Sequence, residues 1–597
     1  MENVTRFRYE PLSKDNDKTR SIRLLHLRPG SPGEPVNCSI VHQNLRNKPD
    51  FEALSYCWGD AANPLRIYIG KDYIDVTQNL HDALLKLRDK ENTKTLWIDA
   101  ICINQDDLAE RSQQVTIMKQ IYQQARKTVV WLGPENADTA RAFELIPYLM
   151  VVFTDAFQGM PRPISYDHNV LRHPAIPRVY QKMQLFESFM QLEQRPYFTR
   201  VWIIQELAVS QNKVVLFWGE HSVSWEEYLI ATWTFACLQI QKPNRDKPLG
   251  NFLHLIRPAI EMAVSNVKLI GLLDRYRQQE STDPRDKVFA LLGIADSQDV
   301  ASLGCNVDYN MTTVEVYTRL AKSYIQRDGN LDILGYAKHG TNIAGLPSWA
   351  PDWTNQGEMP INLRTPILSG ISHNHHAGGD KDCRASVSMD GITLNGKGVI
   401  FDKIARLSGV YGEAWGENCC IPHVLETIAG LAEKSDYIAG GTALDALFIT
   451  QLAGCPKPAY DKLQRRFHEV WEEAKSHPSE KGIRGSVTIS TVQGQQEKKI
   501  SVRPVDVRET GETEALLTAS LKYTLKRRFA TTRKGYYALV PDKSAVGDTI
   551  VILRGGNYPF VLRAQGQSWS LVGECYVHGV MNGEAFDESV CESVAIV

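Results

Sequence analysis

The apolar and polar pattern in the first third of the chain predicts short buried strands that alternate with helices. Four runs are short and mostly apolar, which is typical of strands buried on both faces. They are FEALSYCW (51–58), TLWIDAICI (95–103), KTVVWLG (127–133) and KVVLFWG (213–219). Strands separated by helical segments indicate a parallel sheet covered by helices. The sequence therefore predicts an α/β fold for this part of the chain.

Two helices between these runs carry an apolar stripe along one face. After a candidate N-cap at Thr77, apolar residues recur at helical spacing from Leu80 to Leu87. A second stripe with the same spacing runs from Val115 to Ala125. We expect both stripes to face the sheet.

The segment after residue 220 predicts a succession of helices. Ser224 with Glu227, and Thr312 with Glu315, have the spacing of capping boxes. The run DPRDKVFALLGI (283–294) predicts another helix start.

The pattern changes again after residue 345. The polar run SGISHNHHAGGDK (370–382) predicts a loop, and a helical insert is expected at about 421–477. Four apolar segments between 535 and 580 predict a small antiparallel sheet or barrel.

These changes divide the chain into four predicted parts. They are an N-terminal extension (1–44), an α/β domain (45–220), a helical region (221–345) and a mixed α/β region with a β-rich end (346–597). A chain of 597 residues is several times longer than one hydrophobic core usually serves, so more than one structural unit is expected.

Composition narrows the classes of function. The 67 Lys and Arg residues nearly balance 69 Asp and Glu, and this balance gives no support to nucleic-acid binding. The N-terminal residues contain no signal-like apolar run, and the most apolar stretch, 145–153, is about half a membrane span. The 11 irregularly spaced cysteines indicate reduced thiols. We therefore expect a cytoplasmic protein with no membrane span and no disulfide framework.

Three sequence blocks occur in a fixed order: FEALSYCWGD (51–60), LWIDAICINQDDLAERSQQVTIMKQIYQQARKTVVWLG (96–133) and RPYFTRVWIIQELAVS (195–210). Together they closely resemble the fungal heterokaryon incompatibility (HET) domain. The resemblance continues more loosely in DPRDKVFALLGI, in WAPDW (349–353) and in residues 559–586. It implies a role in non-self recognition, with the domain acting as an effector of regulated cell death.

Polar residues follow the predicted strands. Trp58, Gly59 and Asp60 follow the first strand, residues 104–107 follow the second and residues 133–136 follow the third. Ligands of an open parallel sheet bind beyond the carboxyl ends of its strands, so these residues predict a polar, acidic cleft. Such a cleft disfavours a phosphate grip made of positive side chains, although Gly59 would let backbone N–H groups approach a ligand.

The order of the blocks also resembles a Toll/interleukin-receptor (TIR) domain with a parallel sheet flanked by helices. Plant-type TIR domains carry a Trp followed four residues later by a Glu, the spacing of Trp202 and Glu206. That spacing places both side chains on one helix face. The resemblance implies NAD as a substrate and Glu206 as the catalytic carboxylate, because negative charge stabilises an oxocarbenium-like transition state. The residues implied as pocket lining are Ser55, Trp58, Gly59, Asp60, Asp99, Asn104 and Trp202.

The sequence departs from the TIR pattern at the end of the first strand. WGD (58–60) stands where plant TIR domains have RGED, so the expected Arg contact to ligand phosphate is missing unless Arg66, Arg111 or Arg200 replaces it. The loop after the second strand is also longer and more acidic.

Simpler interpretations remain open for the same residues. Glu206 could pair with Arg195, Arg200 or a backbone donor and only hold its helix in place. Asp106 and Asp107 are better explained as helix capping than as a Mg²⁺ site. A zinc site is not expected, because the Cys residues lack paired C-x-x-C spacing. A cysteine nucleophile at Cys57 or Cys102 is not expected either, because both lie in predicted strands and no nearby residue supplies a base.

Two functions of different classes follow. An NAD-cleaving enzyme predicts a cleft with Glu206 exposed at its floor. A non-catalytic adaptor, acting on an unknown protein partner or by self-association, predicts Glu206 in a buried salt bridge and an apolar surface patch.

Overall fold

The structure is a computed structural model. It describes residues 5–12, 20–60, 62–156, 183–239, 267–354, 375–379, 382–410, 436–453, 464–465, 468 and 523–597. The chain divides into two compact units, Met1–Thr312 and Thr313–Val597. Each unit contains a nine-stranded sheet within the described residues.

The sheet of the first unit combines parallel and antiparallel strands. Its strands are β1 (Ser21–Leu27), β2 (Asn37–Asn44), β3 (Glu52–Tyr56), β4 (Leu65–Ile69), β5 (Asp72–Val76), β6 (Lys94–Trp97), β7 (Lys127–Trp131), β8 (Val214–Trp218) and β9 (His221–Ser224). Their order across the sheet is β5-β4-β2-β1-β6-β3-β7-β8-β9. The neighbours β6, β3, β7 and β8 are parallel, and they are the four strands predicted from the apolar runs.

Two details of this sheet differ from the simplest interpretation of the sequence. The second predicted strand, 95–103, ends at Trp97, and Asp99–Cys102 forms a helical turn. Ile101 and Cys102 are buried in that turn, so an apolar run alone could not distinguish it from a strand. Residues 21–44, from the predicted N-terminal extension, supply β1 and β2 to the same sheet.

Helices connect the strands. Those of the first unit are α1 (Gln78–Leu87), α2 (Asp99–Cys102), α3 (Leu108–Gln124), α4 (Thr139–Ala156), α5 (Met183–Glu193), α6 (Trp202–Ser210), α7 (Trp225–Gln239), α8 (Leu269–Arg275), α9 (Asp286–Leu292) and α10 (Ser297–Leu303). Thr77 caps α1 as predicted, since its hydroxyl accepts the N–H of Leu80. Ser224 and Glu227 form the predicted capping box of α7. Both predicted apolar stripes are buried, in α1 and in α3 to the residue that follows it.

The second unit contains the predicted β-rich end as a closed barrel. Its helices are α11 (Thr313–Asp328) and α12 (Ala443–Gln451), and its strands are β10 (Ser386–Val387), β11 (Leu394–Val410), β12 (Arg527–Thr532), β13 (Tyr537–Pro541), β14 (Thr549–Leu553), β15 (Phe560–Gln565), β16 (Ser568–Glu574), β17 (Tyr576–Val577) and β18 (Glu592–Ile596). The ring β14-β15-β16-β18-β11 closes because β11 also pairs with β14. All pairings are antiparallel except β16 with β18.

The barrel interior is apolar, with Ile404, Ile550, Val561 and Val572 fully or almost fully buried. The predicted loop at 370–382 and the predicted insert at 421–477 lie partly outside the described residues, and α12 falls within that insert. Among the described helices, none has the length and apolar character needed to cross a membrane.

Candidate functional site

The order of the parallel strands defines where a ligand site is expected. From β3 the chain passes to β6 on one side, and then to β7 on the other side of β3. The topological switch point therefore lies between β3 and β7, and doubly wound sheets bind ligands in the crevice beyond the strand ends at that point. Gly59 follows β3 with φ +76°, and Gly133 follows β7 with φ +105°. Both backbone conformations favour glycine.

Glu206 lies on α6 and points its carboxylate at β3. The residue is buried, with 2% of its surface exposed. Its Oε2 accepts a short hydrogen bond from the Ser55 hydroxyl. The Tyr197 hydroxyl lies 2.7 Å from Ser55 Oγ and donates to it, because the Ser55 proton is already directed at Glu206. This chain of hydroxyls fixes the position of the carboxylate.

Burial raises the pKa of Glu206 from 4.5 to about 7, and the positive charge of Arg200 opposes that rise. The Ser55 hydroxyl also lowers this pKa, whereas the charge of Asp99 raises it. The Arg200 guanidinium itself donates to the carbonyl of Tyr56. A carboxyl group with a pKa near neutrality can exchange a proton at physiological pH.

The surroundings of Glu206 match neither arrangement predicted from the sequence. With 2% exposure it does not lie open at the floor of a cleft. No described Lys or Arg nitrogen, including those of Arg195 and Arg200, forms an ion pair with it within 4.0 Å. The Ser55 hydroxyl donates a hydrogen bond to this carboxylate, and the Arg200 charge acts on it from a greater distance.

Trp58 and Asp99 meet near the surface, close to the same cluster. Trp58 is 39% exposed, and its indole N–H donates to Asp99 Oδ2 at 3.0 Å. Asp99 Oδ1 accepts the N–H of Ala100 at 2.8 Å, within the α2 turn. Burial raises the pKa of Asp99, while Arg200 and Trp58 oppose the rise. The structure therefore brings Ser55, Trp58, Asp99 and Glu206 together around Arg200.

Three other predicted site residues are engaged elsewhere. The Trp202 indole N–H donates to Asp286 Oδ2 at 3.0 Å, on α9, so no hydrogen bond links it to Glu206. The backbone N–H of Asn104 donates to Glu110 Oε1 at 2.7 Å. Asp60 accepts the N–H of Ala62 at 2.9 Å, within its own turn.

Three arginines were predicted as possible replacements for the phosphate-binding arginine of plant TIR domains. Of these, Arg200 alone lies beside the carboxylates of Asp99 and Glu206. Arg66 lies 3.6 Å from Asp75 on the neighbouring hairpin strand. Arg111 lies 3.4 Å from Asp283, in the segment before α9.

A buried ion pair beneath the α2 turn was not predicted. Arg23, on β1, binds Glu110 of α3 with both terminal nitrogens, at 2.5 and 2.9 Å. It also donates to the carbonyl of Cys102 at 3.1 Å. Arg23 therefore connects the turn that carries Asp99 to the start of α3.

Models of two protein families match the chain. A model described as heterokaryon incompatibility protein (HET) matches residues 51–206, and a Het-6 beta-barrel domain model matches residues 456–594. Heterokaryon incompatibility protein 6, OR allele, of Neurospora crassa is 25% identical, over 99% of this chain and 98% of that protein. Residues 51–206 therefore match the HET domain, and the chain resembles a heterokaryon incompatibility protein along almost its whole length. No solved structure matches it.

The HET-matched segment contains every candidate site residue. Some residues that hold those side chains in place lie outside the segment. Arg23 precedes the match, and Asp286 follows it. Sequence reasoning missed Tyr197 and Asp286, although each lies inside a quoted block or motif. The boundaries of the family match therefore enclose the candidate site residues but not all of the residues that contact and position them.

Local contacts describe several residues behind the alternative interpretations. Asp107 is the N-cap of α3, as expected, because its Oδ1 accepts the N–H groups of Ala109 and Glu110 at 3.0 Å each. Burial raises the pKa of Cys102 to about 12, so its thiol is protonated near neutral pH. Within the described ranges, no cluster of three or more His, Cys, Asp or Glu side chains is suited to a metal ion.

We expect Glu206→Gln to stabilise the protein near neutral pH but not in acid. A carboxyl whose pKa is raised by folding binds its proton more tightly in the folded state, so stability falls as pH rises from about 4.5 to about 7. The variant carries no titratable group here, and it should be more stable than the wild type by about 3 kcal/mol above that range. Urea unfolding across this pH range measures the difference. A difference that does not change with pH would contradict the expectation.

Proposed function

We propose that this chain is an effector of heterokaryon incompatibility that promotes regulated cell death through its HET domain. The HET model match and the full-length similarity to a heterokaryon incompatibility protein support this role. We further propose that the effector step occurs at the cluster formed by Ser55, Asp99, Arg200 and Glu206.

The reaction that we propose is hydrolysis of NAD at its nicotinamide glycosidic bond. Water supplies the oxygen, the bond from the ribose carbon to the nicotinamide nitrogen breaks, and nicotinamide, ADP-ribose and one proton are released. The observation that supports it best is a carboxyl with a pKa of about 7 beside a topological switch point. The spacing of Trp202 and Glu206 and the parallel order β6-β3-β7-β8 support the TIR-like part of the proposal.

Each residue of the cluster has a role in this proposal. Ionised Glu206 stabilises the oxocarbenium-like transition state and accepts the proton of water as the new bond forms. Ser55 holds the carboxylate through its hydrogen bond. Because Glu206 is 2% exposed, the proposal requires the turn after β3 or the start of α6 to move when NAD binds.

A second candidate is a non-catalytic adaptor that acts by assembly with a protein partner or another copy of itself. The burial of Glu206 favours it, since the hydrogen bond from Ser55 would then serve only to hold α6 against β3. This candidate requires no access to the carboxylate.

Nicotinamide release from NAD by the purified full-length protein discriminates between these functions. We expect Glu206→Gln to reduce release by about 100-fold or more, because the charge that stabilises the transition state is removed. The full chain is needed because a fragment ending near residue 230 would lack Asp286, the partner of Trp202.

Glu193→Gln is the matched control. Glu193 lies on α5, bound to the hydroxyls of Tyr228 and Thr232, and burial raises its pKa to about 7 as well. It is not part of the strand-end cluster, so release should be unchanged. An equal loss in both variants would remove the assigned role of Glu206. No release by the wild type, even when concentrated enough to self-associate, would favour the adaptor.

A further inference from the structure

A second positive side chain lies at the strand ends with no acidic partner. Arg195 directly precedes the short helical turn Pro196–Thr199, and its guanidinium carbon lies 4.1 Å from the centroid of the buried Trp218 ring. Among the described residues, no carboxylate oxygen lies within 4.0 Å of its nitrogens. Its buried Nη2 has no hydrogen-bond partner there. Burial lowers the pKa of Arg195, and no nearby acid offsets that effect.

Such an arginine is unusual, because buried donors are normally hydrogen-bonded. Stacking on the Trp218 indole occupies one face of the guanidinium and fixes its plane. The stacking leaves the N–H groups along the edge of the Arg195 guanidinium available. These groups have the forked arrangement that suits a phosphate or carboxylate. The geometry therefore resembles a preformed anion contact.

The two glycine turns of the switch point lie next to this edge. A Cβ built on Gly133 would lie 3.7 Å from Arg195 Nη1 and 3.8 Å from Asn79 Oδ1. Asn79 connects the two turns, since it donates to the carbonyl of Cys57 at 2.6 Å and accepts from the Trp131 indole at 3.0 Å. A Cβ built on Gly59 would also lie 3.5 Å from Asn79.

The backbone of these turns can contribute donors of its own. Within the part of the chain that the structure describes, no backbone carbonyl accepts the N–H of Gly59 or of Gly133. Both residues have positive φ, and backbone N–H groups in such turns form concavities that bind anions.

We propose that Arg195 and the turns at Gly59 and Gly133 form a binding subsite for a phosphate group. Arg195 supplies the charge, the turns supply backbone N–H groups, and the switch point between β3 and β7 supplies the crevice. The sequence disfavoured such a site, because the residues that follow the strands are acidic. Arg195 is distant in sequence from these strand ends, and only the fold brings it beside them. The subsite rests on the proposed function in one respect only, which is that the dinucleotide NAD would carry the phosphate.

Isothermal titration calorimetry of the full-length protein with inorganic pyrophosphate tests the subsite. We expect Arg195→Gln to weaken pyrophosphate binding by about 10- to 100-fold, the usual effect of losing charge-assisted hydrogen bonds. Arg126→Gln is the matched control and should bind like the wild type. Arg126 directly precedes β7, at the opposite end of that strand, and pairs with Asp50 and Glu52 at 3.1 and 3.0 Å.

Further ligands and a second variant make the test specific. Inorganic phosphate and ADP-ribose are titrated in parallel, and tighter binding of ADP-ribose would identify a nucleotide as the source of the phosphate. Arg195→Lys keeps the positive charge and the aliphatic part of the side chain but loses the paired guanidinium donors. This variant should fold normally and bind pyrophosphate more weakly than the wild type. If none of the three ligands binds the wild type, or if both Arg195 variants bind like it, the subsite is excluded.

These outcomes are separable from those of the proposed reaction. Pyrophosphate binding that depends on Arg195, without any nicotinamide release, would keep the subsite and remove the enzymatic proposal. Nicotinamide release that both Arg195 variants retain in full, without pyrophosphate binding, would remove the subsite alone.

Discussion

Arg23→Met should destabilise the first unit by about 3–5 kcal/mol, the usual result of removing one partner of a buried ion pair. The Arg23 side chain is 1% exposed and that of Glu110 is 9% exposed, so water cannot replace the lost contacts. The variant leaves the Glu110 charge buried with only the N–H of Asn104 as a described donor close to it. Urea unfolding of the full-length protein, combined with amide exchange in β1 and α3, measures the loss.

Arg23→Met combined with Glu110→Gln is the control for this result. The pair of substitutions removes both charges, and the glutamine oxygen still accepts the N–H of Asn104. We expect most of the stability to return, because the desolvation cost of the lone charge disappears. Arg126→Met, at an exposed ion pair, should change stability by less than about 1 kcal/mol. A single Arg23 variant as stable as the Arg126 variant would show that the buried pair contributes nothing.

Arg527→Met should destabilise the barrel by a similar amount, about 3–5 kcal/mol. Arg527 begins β12 and Glu574 ends β16, and their side chains are 2% and 4% exposed. The guanidinium donates to Glu574 twice, at 2.9 Å to Oε1 and at 2.9 Å to the carbonyl. Substitution therefore leaves both a buried carboxylate and a carbonyl without this donor. Faster amide exchange in β12 and β16 would report the loss locally.

The double variant Arg527→Met with Glu574→Gln separates charge from packing. If the charge of the buried Glu574 carboxylate causes the loss, neutral glutamine should restore about half of it or more. If the stem of Arg527 matters mainly by packing, both variants will be equally unstable, and the ion-pair explanation is wrong for this site.

The sequence was most informative where local pattern and burial coincide. The four parallel strands are mostly buried, and each lies in an apolar run that predicts it. The α2 turn was predicted as strand because Ile101 and Cys102 are equally apolar in either conformation. Periodicity cannot separate the two over so few residues.

The contacts around the candidate site were harder to predict, because they join residues far apart in the chain. Ser55 and Tyr197 are separated by 142 positions, and Trp202 and Asp286 by 84. The helical spacing of Trp202 and Glu206 correctly placed both on α6. It could not show that a distant aspartate would accept the indole N–H. Local spacing predicts which face a residue occupies, whereas tertiary contacts decide its partner.

The strand β11 is translated long before most of the strands that pair with it. Among the described strands, its partners apart from the two-residue β10 are β12, β14 and β18, and the earliest of these begins at Arg527. At ribosomal rates of roughly 5–20 residues per second, the residues between β11 and β12 take on the order of ten seconds to translate. During that interval the backbone edges of β11 are open to pairing with other nascent chains. Yield of the intact protein should therefore depend on chaperone supply during translation more than on the stability of the finished barrel.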